Sequence, residues 1–164
     1  MKKQATRSAQ WPMFAEFVFN FNDWVVDSSD GVKRTFGSTV ANSADPSETG
    51  LTGAAAATIV FDGIKMPRGA VITGGEVIVE TAYAGSTAAT LSVGKVGSTT
   101  ALASAVDMKT AARTALTLTT PLLCNDGSEI RLTAAYTVAN ATAGKVRVRV
   151  AYTIDDKANE VTPN

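Results

Sequence analysis

The chain has 164 residues, 15 Lys+Arg against 15 Asp+Glu, and no histidine. That length suits one domain with a real core, since a chain near this size buries roughly 70% of the surface its unfolded form exposes. Zero net charge argues against a general nucleic-acid binder, and the lack of histidine removes Ser-His-Asp and Cys-His catalysis and nearly all zinc sites.

Residues 1–12 read as a flexible basic arm, with Lys2, Lys3 and Arg7 ahead of Trp11-Pro12. The basic start is that of a signal peptide. The next stretch carries Pro12, Glu16, Asn20 and Asn22 where an apolar segment should follow. No run is long and apolar enough to span a bilayer, so the expectation is a soluble protein made in a cytoplasm. In "FVFNFN", Phe17, Phe19 and Phe21 share one face and Val18, Asn20 and Asn22 the other, the pattern of a half-buried strand. The pattern can run on through Trp24 and Val26 with the faces exchanged across a bulge near Asn22-Asp23. "SSDG" (28–31) is a turn, and "VKRTF" (32–36) returns from it as a short strand.

Residues 37–57 are polar and small and carry no periodic signal; loops of such length are usually functional or disordered. "TIVFD" (58–62) predicts a strand with Ile59 and Phe61 inward, and "MPRGA" (66–70) a turn. Two further strands follow, about 71–83 and 88–93, with Val77, Val79, Thr81 and Tyr83 on one face of the first. Gly74-Gly75 inside it marks a bulge or a close approach of backbone. Residues 97–113 are open between a helical turn or two around Ala105–Ala112 and an irregular excursion at a sheet edge. "TALTLTT" (114–120) predicts a strand with Leu116 and Leu118 on one face, ended by Pro121, and "NDG" (125–127) a turn. "EIRLTAAY" (129–136) turns Ile130, Leu132, Ala134 and Tyr136 inward. "KVRVRVAYTI" (145–154) sets Val146, Val148, Val150, Tyr152 and Ile154 against Lys145, Arg147 and Arg149. A short loop joins these two, which predicts an antiparallel hairpin.

The count is about eight strands, several with one polar face. Such strands form antiparallel sheets wet on one side, and two such sheets bury their apolar faces against each other. The expected fold is an all-β antiparallel sandwich, and long crossing loops favour a jelly roll over a meander. The expected domain covers residues 13–155, between the arm at 1–12 and a loose tail at 156–164.

Little in the chain looks like chemistry. The single cysteine, Cys124, allows no internal disulfide and reads as a small apolar residue. Glu76/Glu80 and Asp155/Asp156 are the carboxylate pairs open to glycosidic chemistry, but a wet strand face explains the first and a frayed tail the second. "DSSDG" (27–31) lacks the spacing of a calcium loop, and no glycine run forms a phosphate loop. No catalytic, cofactor or metal residue is expected. Lys145, Arg147 and Arg149 form a basic stripe, read either as a solvated face or as a contact to an acidic partner. Trp11, Phe14 and Trp24 are read first as core and second as anchors onto a neighbour.

"MPRGAVITGGEVIVETAYAGSTAATLSVG" (66–94), with "VDMKTAARTALTLT" and "GKVRVRVAYTI" after it, resembles a pattern of small virion proteins of tailed bacteriophages. The similarity runs over about 58–154. It implies a head decoration, or cement, protein with a jelly-roll sandwich. Such proteins form homotrimers on the outer capsid surface and clamp subunits of the major capsid protein. The resemblance carries over no functional residue. The possible partner contacts, Lys2, Lys3, Arg7, Trp11, Arg147 and Arg149, are inferred from charge and position. The competing functions are a carbohydrate-binding sandwich, which needs Trp24, Tyr83 or Tyr136 exposed as stacking platforms, and a tail or connector component.

Overall fold

A computed structural model of the chain describes residues 11–31, 33–36, 56–118, 123–124, 128–137 and 141–154. Eleven strands and no helix lie among them. In chain order they are β1 (Met13–Asn20), β2 (Trp24–Val26), β3 (Lys33–Thr35), β4 (Ala56–Lys65), β5 (Ala70–Ala84), β6 (Ala88–Lys95), β7 (Ser98–Asp107), β8 (Arg113–Ala115), β9 (Leu123–Cys124), β10 (Glu129–Thr137) and β11 (Ala143–Ile154).

The strands make an antiparallel β-sandwich. One sheet has the order β1-β11-β5-β8, with β9 also on β5, and the other the order β4-β10-β6-β7. The chain pairs with itself as a folded-back ribbon. β1 lies along β11, β4 along β10, β5 along β8 and β9, and β6 along β7, all antiparallel. β2 and β3 form a separate hairpin through Trp24↔Thr35, Val25↔Arg34 and Val26↔Lys33.

Period-two burial builds the core. On β10, Ile130, Leu132, Ala134 and Tyr136 are buried; on β11, Val146, Val148 and Val150 are buried completely. Each such aliphatic or aromatic side chain contributes about 1.5–3 kcal/mol by leaving water. Phe19, Phe36 and Phe61 join them in an aromatic cluster, with Phe36 at 4.2 Å from Phe19 and 4.8 Å from Phe61 between ring centroids. Gly75 is where backbones touch: a side chain there would meet the Arg149 carbonyl, and its Cβ would lie 2.7 Å from Leu116 Cδ1. The predicted close approach holds, and the register of β11 on β5 shifts beside it, between Ala151 and Tyr152.

Several expectations are corrected. β10 and β11 are no hairpin: both edges of β10 are taken by β4 and β6, and both edges of β11 by β1 and β5, so the link between them crosses sheets. β1 does not run on through Trp24. Asp23 turns the chain, its carboxylate accepting the Asn20 N–H at 2.7 Å and the Asn20 side-chain amide at 2.9 Å. Val25 then packs on the core, and Trp24 and Val26 face outward. Residues 98–107 are a strand, β7, kinked at Ala105 with φ 49°. Among the described residues the stretch after it is strand only over Arg113–Ala115, and Leu116 is buried while Leu118 is not. Thr81 is exposed, because the register of β5 on β11 slips beside it and interrupts the alternation.

Candidate interaction surface

The outer face of the β1-β11-β5-β8 sheet gathers most of the named charges. Glu16 stands opposite Arg149 across β1 and β11, and Arg149 stands opposite Glu76 across β11 and β5. Glu16 Oε1 meets Arg149 Nε at 2.5 Å and its Oε2 meets Arg147 Nη1 at 2.7 Å. Arg147 Nε reaches on to Glu80 at 2.6 Å, and Lys145 Nζ closes on the same carboxylate at 2.7 Å. Arg113 on β8 holds Glu76 with two bonds, at 2.6 and 2.8 Å. Three carboxylates and four cations thus form one ladder across four strands.

The ladder settles what these groups can do chemically. Arg149 and then Arg147 hold the Glu16 carboxyl below its usual range, Lys145 and then Arg147 do so for Glu80, and Arg113 does so for Glu76. A general acid needs its carboxyl raised, so Glu76 and Glu80 are poised the wrong way for that work. Arg147 and Arg149 face outward, with their charge met from within the chain. Trp11 is 80% exposed. Lys2, Lys3, Arg7, Asp155 and Asp156 lie outside the described residues, as do residues 37–55 of the expected 37–57 loop, whose last two residues instead open β4, and the expected turn at 125–127.

Apolar groups border this face. On β1, Phe14 and Val18 are exposed on the same side as Glu16, and the Arg149 guanidinium stands 5.5 Å from the Phe14 ring centre. On the hairpin, Trp24 and Val26 are exposed, with the Lys33 ammonium 3.7 Å from the Trp24 ring centre. For Trp11, Phe14 and Trp24 this exposure corrects their reading as core: β1 points its odd residues inward, which leaves Phe14 out, and the turn at Asp23 puts Trp24 out.

The acidic run 27–31 is turn chemistry. Asp27 is buried and accepts the Ser29 N–H at 2.9 Å and hydroxyl at 2.6 Å, with Arg34 at 3.0 Å. Arg34 also holds Asp30 through two bonds. Among the described residues no three His, Cys, Asp or Glu gather as a metal site. Cys124 pairs through its backbone with Ala70. Inside the sandwich Tyr83 and Tyr136 lie 5.7 Å apart, both buried, and burial pushes both phenols up.

Sequence reasoning missed Glu16, which anchors the ladder from β1. The signal was present, because Glu16 is the even neighbour of inward Phe17 on a strand that alternates strictly.

No family model matches the sequence, and no curated protein matches it. A solved structure does: a chain of the capsid asymmetric unit of cyanophage Pam1 is similar with a TM-score of 0.55 at 21% identity. The match covers 93% of this chain and 94% of that one. At that identity the likeness is one of fold.

Proposed function

We propose that the chain is a structural protein of a bacteriophage particle, with a jelly-roll sandwich, that decorates the capsid and stabilises it by bridging subunits of the major capsid protein. One observation carries this reading: a fold shared over 93% of this chain with a chain of a phage capsid asymmetric unit. The strand order supports the jelly-roll description, because the chain folds back as a single ribbon wrapped into two sheets. A shell-bracing protein needs contact area, on the order of 800 Å² on each side of a stable interface. Repeated contacts over a shell add avidity to each.

In this reading the protein sits on the outer surface of the virion, after synthesis in the host cytoplasm, and acts without cofactor or catalysis. The resemblance adds a homotrimer. Lys2, Lys3, Arg7 and Trp11 supply one contact, with basic groups meeting carboxylates and the indole filling a pocket. Arg147 and Arg149 serve such a contact only by sharing charge already committed to Glu16 and Glu80. The carbohydrate-binding alternative loses two of its three platforms, since Tyr83 and Tyr136 are buried. A tail or connector role shares the fold argument and is separated from a head role by experiment.

Purified protein mixed with phage heads lacking it is expected to co-sediment with them. Deleting residues 1–10 is expected to leave thermal stability nearly unchanged while weakening binding, and less so at high salt, where the arm's charges are already screened. Failure of the full chain to bind heads would overturn the reading. Unchanged affinity on deletion would remove the arm from it.

A further inference from the structure

Hydrogen bonding along β1 alternates between its two sides. The Phe21 N–H donates to the Gly144 carbonyl at 2.9 Å, and the same phase runs back through Phe19↔Val146, Phe17↔Val148 and Ala15↔Val150. The odd residues therefore bond to β11, and the even residues turn their N–H and C=O away from it. The even positions are Pro12, Phe14, Glu16, Val18 and Asn20. Pro12 has no N–H to offer. The Asn20 N–H is taken by the Asp23 carboxylate. Free donors remain at Phe14, Glu16 and Val18, with no partner among the described residues. The free run is closed at both ends and centred on Glu16.

The other edges of the sandwich are blunted. β8 and β9 are three and two residues long. β7 slips register twice against β6, and β4 slips once against β10. Short, bulged edges resist pairing with another chain. β1 keeps one register with β11 over all eight of its residues.

We propose that β1 is a strand-pairing site for a second copy of this chain, the two β1 strands running antiparallel about a two-fold axis at Glu16. The side chains read the same way in both directions across that axis. On the outer face, exposed Phe14 meets Val18 of the second copy, and Val18 meets its Phe14. On the inner face, small Ala15 meets large Phe17, and the half-buried Phe17 gains cover. The two Glu16 carboxylates approach each other, but each brings its own Arg147 and Arg149, so the axis carries no excess of negative charge. The contact is isologous and closes at two copies. It stands on the β1 edge alone and does not depend on the virion reading.

Val18→Pro tests it, because the N–H it removes faces away from β11 and the intrachain ladder is kept. Sedimentation or native mass spectrometry of the full chain is expected to show a species whose mass halves on this substitution, with the circular dichroism unchanged. An unchanged mass would overturn the proposal, whether the starting species is a monomer, a trimer or any other. Cysteine cross-linking tests the register independently of how Val18→Pro folds. In a Cys124→Ser chain, Glu16→Cys is expected to oxidise to a linked dimer, since the two sulfurs meet on the axis. Val18→Cys is expected to stay unlinked, because it faces residue 14 of the second copy. Equal cross-linking of the two, or none by Glu16→Cys, would overturn it. An extended peptide of another protein as the occupant of β1 would give that second result.

Discussion

The inner and outer faces of β11 come from alternate residues of one stretch, and they work by different physics. Val146, Val148 and Val150 face in, are wholly out of water, and belong to the one apolar cluster to which both sheets contribute. Lys145, Arg147 and Arg149 face out and hold Glu16 and Glu80 through bonds that water surrounds. Burial of apolar surface is strong and indifferent to salt, whereas exposed ion pairs are weak and screened. The inner face should therefore decide whether the chain folds. The outer face should decide how the folded surface responds to acid and salt.

The largest expected effect is on the inner face. Val148→Asp places an unpaired carboxylate in the core and should cost about 3–5 kcal/mol, a large share of the roughly 5–15 kcal/mol that holds an ordinary domain folded. Val150→Asp should behave alike. Chemical denaturation measures both, and small losses would invert the assignment of the two faces.

An intermediate effect is expected from acid. Glu16, Glu76 and Glu80 have carboxyls held below their ordinary value near 4.5 in the folded state. The unfolded chain then binds more protons than the folded one in that range, so stability rises with pH there. The ladder's contribution is present above about pH 5 and is lost as pH falls through the lowered values. Melting temperature against pH should show this slope, and Glu16→Gln should flatten part of it. A slope unaffected by Glu16→Gln would detach the ladder from stability.

The smallest effect is expected from Arg147→Ala, read by the same denaturation. Its loss should be minor beside that of Val148→Asp and should shrink further in high salt. A large loss would mean that the outer face carries structure rather than surface chemistry.

The inner face was legible because alternation is a local signal. Ile130, Leu132, Val146, Val148 and Val150 are buried as their spacing required. What pairs with what was less legible. β10 and β11 are neighbours in sequence, yet each finds both its partners elsewhere, a choice made by the other strands competing for each edge. Trp24 shows a second limit. Its first reading is as core, but the bonds from Asn20 to Asp23 turn the chain and leave it outward. The candidate surface was half legible: Arg147 and Arg149 were placed on the outer face from their spacing. Their partner Glu16 sits 131 residues from Arg147, a separation that no local pattern spans.

Cryo-electron microscopy of intact phage particles containing this chain tests the central claim most directly. The account predicts density for the two-sheet sandwich on the outside of the head, in contact with more than one subunit of the major capsid protein. Density for the sandwich on the tail alone, or on no part of the particle, would contradict it.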